Sequence, residues 1–193
     1  MSDQPRRGRL FVLSGPSAVG KDTVIARLLQ MRPQLGRPPA YTTRPIRQGE
    51  VQDQDYSFID EPSFATMLAQ GRFLETALVH GRHYGTDRER VEQLLRQGRD
   101  VLLKPDVQGA ARLRQLGLGD RFIFLLPPSR QVLLERLERR RTEDPKQLEL
   151  RIRAIDSELA ESSWYDERVV NDEVERAAAQ IAEIIDRERA TPN

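Results

Sequence analysis

Leu10-Phe11-Val12-Leu13-Ser14-Gly15-Pro16-Ser17-Ala18-Val19-Gly20-Lys21-Asp22-Thr23-Val24-Ile25-Ala26-Arg27-Leu28-Leu29 is the stretch that decides the fold. A short run of continuous apolar residues predicts a strand buried on both faces, and the run from Val24 carries a helical pattern. Between them lies a loop bounded by Gly15 and Gly20 and closed by Lys21. Strand, glycine-bounded loop and helix are the parts of a phosphate cradle. Backbone N–H groups line the loop, the helix N-terminus adds its positive dipole end, and the lysine reaches the terminal phosphates. The residue after the lysine is usually Ser or Thr, whose hydroxyl binds Mg²⁺. Here that position holds Asp22, and the hydroxyl follows at Thr23.

Further along, short apolar runs at 101–103, 122–126 and 169–170 alternate with helix-like patterns. Val132, Leu133, Leu134 and Leu137 make one helical face. Leu148, Ile152, Ile155 and Leu159 make a second, and Val174, Ala178, Ile181 and Ile185 a third. Strands alternating with helices predict a parallel sheet covered on both sides, with ligands beyond the carboxyl ends of its strands. Residues 36–86 break this rhythm: strand-like pieces at 40–42, 56–59 and 73–79 and a short helix at 63–70 read as an inserted subdomain. The Arg-rich stretch 139–145, between two helical patterns, reads as a mobile cover.

The chain of 193 residues carries 31 Lys+Arg against 30 Asp+Glu, for a net charge of +1. That balance argues against a general nucleic-acid binder. The absence of cysteine removes disulfides and thiol chemistry. His80 and His83 lie close together, but with no cysteine and no further ligand in view they do not read as a zinc site. No apolar stretch reaches membrane-spanning length, and residues 1–9 are polar and basic, unlike a secretory signal. A cytoplasmic protein is expected, with neither membrane nor nucleic acid as partner.

The insertion carries its own chemistry. Arg44 and Arg47, three positions apart, can fork onto one phosphate, and the hydroxyls of Tyr56 and Tyr84 can complete its hydrogen bonds. A buried Glu75 accepts two N–H donors at once, which suits a guanine edge.

At this point the chain resembles guanylate kinase, over nearly its whole length from Gly8 to Arg187. The matching stretches are Leu-Ser-Gly-Pro-Ser at 13–17, Thr-Thr-Arg-Pro-x-Arg-x-Gly-Glu-Val at 42–51, Asp-Tyr at 55–56, Phe-Leu-Glu at 73–75, Val-His-Gly at 79–81 and Tyr-Gly-Thr at 84–86. Asp-Val-Gln-Gly-Ala at 106–110, Pro-Pro-Ser at 127–129 and Val-Val-Asn-Asp at 169–172 follow in order. The resemblance implies a three-layer α/β P-loop fold with a parallel central sheet, as a single domain over 8–187. Its core would be 8–35, 87–138 and 152–187, its GMP-binding insertion 36–86 and its lid 139–151, with flexible tails at 1–7 and 188–193.

It also implies roles. The loop Gly15, Pro16, Ser17, Ala18, Val19, Gly20, Lys21, Asp22 and Thr23 would hold the ATP phosphates, with Asn171 near the adenine. Arg44, Arg47, Tyr56 and Tyr84 would hold the GMP phosphate, and Glu75, Asp106 and Thr86 the guanine. Lys21, Arg44, Arg140 and Arg151 would surround the moving phosphoryl group, and Mg²⁺ would travel with ATP. Asp22 and Lys104 depart from the family together, and the expectation is that Asp22 contacts Mg²⁺ through water while Lys104 pairs with Asp22 or with a phosphate oxygen. Two other readings stay open: a related P-loop kinase acting on another phosphorylated small molecule such as ribose 1,5-bisphosphate, and a non-catalytic guanylate-kinase-like binding module.

The chain departs from the family's pattern at Ala40, where a Ser usually contacts the base. It departs again at Arg139-Arg140-Arg141-Thr142, where Gly-Arg-Gly-Thr is usual, and at Lys104-Pro105-Asp106, where an acid usually stands in the Lys104 position.

Overall fold

A computed structural model describes residues 6–79, 81–138 and 145–191, with the side chains of residues 138 and 145–151 outside the description. Strand β1 (Leu10–Ser14) is buried at every residue. It pairs in parallel with β6 (Val101–Leu103) on one side and β7 (Arg121–Leu126) on the other, and β8 (Glu167–Val170) completes the parallel order β6-β1-β7-β8. The two-residue period of a strand divides its side chains between two cores. Phe11 and Leu13 of β1, with Ile123 and Leu125 of β7, face α1 (Lys21–Met31), α5 (Arg130–Glu138), α6 (Pro145–Ala160) and α7 (Val174–Ala190). Leu10 and Val12, with Phe122 and Phe124, face α3 (Arg88–Arg96) and α4 (Val107–Gln115). The result is the expected three-layer α/β fold.

The second sheet has the order β3-β2-β5-β4 and mixes pairings: β2 (Tyr41–Thr42) runs parallel to β3 (Ser57–Phe58), while β5 (Arg82–Asp87) runs antiparallel to both β2 and β4 (Phe73–Val79). Its helix α2 spans Glu61–Ala69, two residues earlier than the pattern suggested, because the Asp60 carboxylate accepts the Ser63 amide at 2.8 Å and caps the helix. Its small core is aromatic. Phe64 stacks on Phe73 at 4.7 Å and on His83 at 5.1 Å. Gly85 lets the Phe73 ring lie on the strand, since a Cβ there would stand 2.8 Å from the ring. Asp87 and Asp106 cap α3 and α4 in the same way, accepting the amides of Arg90 at 3.0 Å and Gly109 at 2.8 Å.

One expectation is corrected at the chain's ends. The tail expected from residue 188 begins later: α7 continues to Ala190, and Glu188 is buried between the guanidinium groups of Arg9 and Arg121. Arg6, also expected in a tail, donates to the carbonyls of Arg189 at 2.8 Å and Thr191 at 2.7 Å. Among the described residues no helix is long and apolar enough to cross a membrane.

Candidate active site

The loop after β1 turns on left-handed backbone. Gly15 has φ +149° and Gly20 φ +98°, and Ala18 joins them at φ +62°, a conformation uncommon for a residue with a Cβ. A Cβ on Gly15 would stand 2.5 Å from the Leu125 carbonyl oxygen, so the loop lies against the backbone of β7. Gly20 forms the N-cap of α1. The loop is braced from behind: Asn171 Nδ2 donates to the Val19 carbonyl at 2.7 Å, and Arg136 donates to the same oxygen at 3.1 Å. Asn171, expected near the adenine, is buried behind the loop with a side-chain N–H on the Val19 carbonyl.

Within the cradle, Lys21 Nζ folds back onto the carbonyls of Gly15 at 2.5 Å and Pro16 at 3.0 Å. Burial, reinforced by the neighbouring Lys104 charge, lowers its pKa to about 8. The Ser17 amide donates at 3.0 Å to a carboxylate oxygen of Glu158, on α6. A carboxylate thus occupies one N–H of the cradle, much as an anionic ligand would. Sequence reasoning missed Glu158, which lies 141 residues from Ser17 along the chain.

A cleft of about 250 Å³ opens between the cradle and the second sheet. Ser17, Ala18, Val19, Gly20, Lys21 and Asp22 line one side of it. Arg44, Arg47, Tyr56, Glu75, Tyr84, Thr86, Lys104 and Asp106 line the rest. The structure brings these predicted residues to one place. Thr23 sits exposed in the first turn of α1. Arg140 lies outside the described residues, and of Arg151 only the backbone, in α6, lies within them.

Arg44 is not an open fork. Glu50 holds it with both carboxylate oxygens, at 2.7 and 2.5 Å, while the guanidinium lies 5.0 Å from the Tyr56 ring centroid and 5.2 Å from that of Phe58. Burial works against its charge, but the Glu50 hydrogen bonds and the neighbouring tyrosines outweigh it and hold its pKa above the usual arginine range. Glu50 also accepts the Arg47 amide at 2.8 Å, while the Arg47 side chain stays exposed at the rim. The two arginines are thus unequal: Glu50 grips the guanidinium of Arg44, while that of Arg47 lies exposed at the rim. Glu50 stands in the quoted motif, and its spacing alone did not reveal that role.

On the opposite wall, Glu75 is only 6% exposed. Thr86 Oγ1 donates to its Oε1 at 2.6 Å. Its Oε2 faces the start of α4 so closely that a Cβ on Gly109 would stand 2.7 Å away. Burial raises the Glu75 pKa to about 7; the Thr86 hydrogen bond opposes the shift and the nearby Asp106 charge adds to it. Burial also raises that of Asp106, against the hydrogen bond from the Gly109 amide. Two carboxyl groups therefore share one poorly solvated wall, short of donors. Thr86 reaches that wall through Glu75.

Lys104 follows β6, and its ammonium pairs with the Asp22 carboxylate. Ser14 Oγ donates to the Pro105 carbonyl at 3.1 Å, tying this segment to the end of β1.

A phosphate loop at the carboxyl end of a parallel strand, facing a cationic and carboxylate-walled pocket on an inserted sheet, defines a P-loop nucleotide kinase. The comparisons are more specific. The family model described as Guanylate kinase matches residues 7–188, and the chain belongs to that family. It is similar to the guanylate kinase of Nitrosomonas europaea, 44% identical over 180 residues that cover 93% of this chain and 90% of that one. It is equally similar to that of Syntrophomonas wolfei, 44% identical over 184 residues, with 95% and 94% covered. The crystal structure of guanylate kinase from Anaplasma phagocytophilum superposes with a TM-score of 0.80 at 28% identity, covering 96% of this chain and 88% of that one.

Proposed function

We propose that the protein transfers the terminal phosphoryl group of ATP to the phosphate of GMP, and of dGMP, giving ADP and the nucleoside diphosphate. The observation that carries the reading is the buried Glu75 beside the partly buried Asp106 on one wall of the cleft that also holds Lys21. Two adjacent acceptors in a poorly solvated site fit a base edge with two adjacent donors, as guanine has. Adenine offers an acceptor at one of those positions and would leave a buried carboxylate unpaired.

The chemistry needs positioning and charge cancellation more than covalent help. An oxygen of the GMP phosphate attacks the terminal phosphorus of ATP while the bond to the ADP oxygen breaks. That oxygen is already anionic, so no general base is assigned. Lys21 meets the transferring group from the cradle, and the ATP phosphates take the Ser17 amide from Glu158. Arg44, fixed by Glu50, meets the GMP phosphate with Arg47, Tyr56 and Tyr84. Arg140 and Arg151 would close over the phosphates from the lid and exclude water.

Magnesium, a hard ion that keeps several waters and takes one or two carboxylates plus phosphates, fits the Asp22 carboxylate, which lines the cleft beside Lys21 and would hold it through water. When bound it would neutralise charge on the ATP phosphates. The reading places the reaction in the cytoplasm.

An ADP-release assay with ATP and a panel of GMP, dGMP, AMP, CMP and ribose 1,5-bisphosphate tests it. GMP is expected to exceed AMP in kcat/KM by roughly 10⁴-fold, the discrimination typical of a site built to hydrogen-bond one partner. Comparable turnover of AMP, or faster turnover of the sugar bisphosphate, overturns it.

A further inference from the structure

Lys104 crosses the boundary between the two halves of the cleft. It stands just beyond β6, at the carboxyl end of a parallel strand where ligands gather in such sheets. Its side chain is 11% exposed, so a charge has been taken almost wholly out of water. On one side the ammonium pairs with Asp22, in the first turn of α1 beside the cradle lysine. On the other it lies 4.8 Å from the ring centroid of Tyr56, which in turn packs against Arg44 at 5.0 Å.

The Asp22 end of the pair is 72% exposed. An ion pair with one partner in water is worth little, and its carboxylate resolvates readily when the ammonium is drawn away. An ammonium carries three donors on a flexible stem, so it can turn from one oxygen to another without moving the backbone. Burial would lower the Lys104 pKa, but Tyr56 and Asp22 outweigh it and keep the group charged. A permanently charged donor, held between the cradle and the aromatic wall, needs an anion in the cleft to use it fully.

We propose that Lys104 is a catalytic residue whose ammonium turns from Asp22 to a phosphate oxygen of GMP and holds that phosphate in line with the cradle. The inference rests on the reading of the cleft as a GMP site. In the transfer, a bond forms between a GMP phosphate oxygen and the terminal phosphorus of ATP, and the bond from that phosphorus to the ADP oxygen breaks. Lys104 neither gives nor takes a proton. Asp22 then acts as a parking site, competing with the substrate for one ammonium.

Competition and simple neutralisation predict opposite outcomes in a double-mutant cycle. GMP binding is measured by calorimetry in magnesium-free buffer with EDTA, for the full chain and for Lys104→Met, Asp22→Asn and the double variant. Lys104→Met is expected to weaken GMP binding by roughly 10- to 100-fold, the usual range for a lost charge-assisted hydrogen bond. It should also raise KM for GMP more than KM for ATP. Asp22→Asn, which leaves Lys104 in place, is expected to tighten GMP several-fold, and the double variant to match Lys104→Met. An unchanged dissociation constant in Lys104→Met overturns the proposal. So does restoration of wild-type affinity in the double variant, which would mean that Lys104 only neutralises Asp22. If the unaltered chain itself fails to bind GMP while binding ATP, the reading of the site falls instead. Thermal melts of each variant identify any loss that comes from unfolding.

Discussion

The cradle is built of main chain, and the pocket opposite is built of side chains. Loop 15–20 is positioned by a strand buried at every residue, by two left-handed glycines and by the Asn171 and Arg136 contacts behind it. In the second sheet two of the cleft-lining groups are held by another side chain, Arg44 by Glu50 and Glu75 by Thr86. A site made of backbone depends on conformation, and in the cradle pH acts through Lys21, whose pKa is about 8. A site made of paired side chains depends on each partner and on the protonation of its acids.

The sharpest way to break this contrast is Lys21→Ala. Lys21 is the one side chain on which the cradle's chemistry rests, and it supports no core. Turnover is expected to fall by roughly 10³-fold, at the upper end for loss of one charge-stabilising donor. Thermal stability should hold or rise, because burial already disfavours the Lys21 charge and lowers its pKa to about 8. A melting temperature that falls together with activity would show that the side chain shapes the loop after all.

Arg44→Lys keeps the charge but loses the fork onto Glu50. We expect kcat/KM for GMP to fall by roughly 10- to 100-fold, the scale of lost hydrogen bonds between charged groups, with KM for ATP nearly unchanged. An equal loss for ATP would mean the two halves of the cleft are not separable.

The smallest effect, and the one that best separates the halves, is pH. Glu75 has a folded pKa of about 7 against an ordinary 4.5, so the folded protein binds its proton more tightly than the unfolded chain does. Stability associated with this group is therefore full below 4.5 and is lost as pH rises through 7. Base binding runs the other way, since guanine donors need the carboxylate ionised. Between pH 8 and 6, guanosine affinity is expected to fall roughly tenfold, as the ionised fraction of such a group does. ATP affinity should not follow Glu75; over this range it is expected to respond to Lys21, whose pKa is about 8, and to its own terminal phosphate. Using guanosine removes titration of the nucleotide's own phosphate, and a flat profile would place the base elsewhere.

The same contrast decides what could be read from the sequence. The cradle was legible because its strand, loop and helix are contiguous, and the pocket residues because the resemblance named them. What was missed joins residues remote along the chain: Glu158 with Ser17, Asn171 with Val19, Arg6 with Thr191. No local pattern encodes such pairs. Strand β5 was read only as a motif, because Arg82-His83-Tyr84-Gly85-Thr86-Asp87 has no apolar alternation and is made a strand by its neighbours β2 and β4. Helices α3 and α4 went unnamed; each buries two or three residues. Glu50, by contrast, was six positions from Arg44 and in plain view. Only the fold showed that its carboxylate grips the arginine.

The junction of Arg6, Arg9 and Glu188 with the end of α7 has a practical bearing. Because β1 runs from this junction toward the cradle, both ends of the described chain emerge at the amino-terminal end of the parallel sheet, opposite the cradle. Affinity tags, surface tethers or fluorescent fusions attached there would leave the nucleotide cleft unobstructed. A short linker joining residue 191 to residue 6, with new ends cut in an exposed loop, makes this chain a natural candidate for circular permutation.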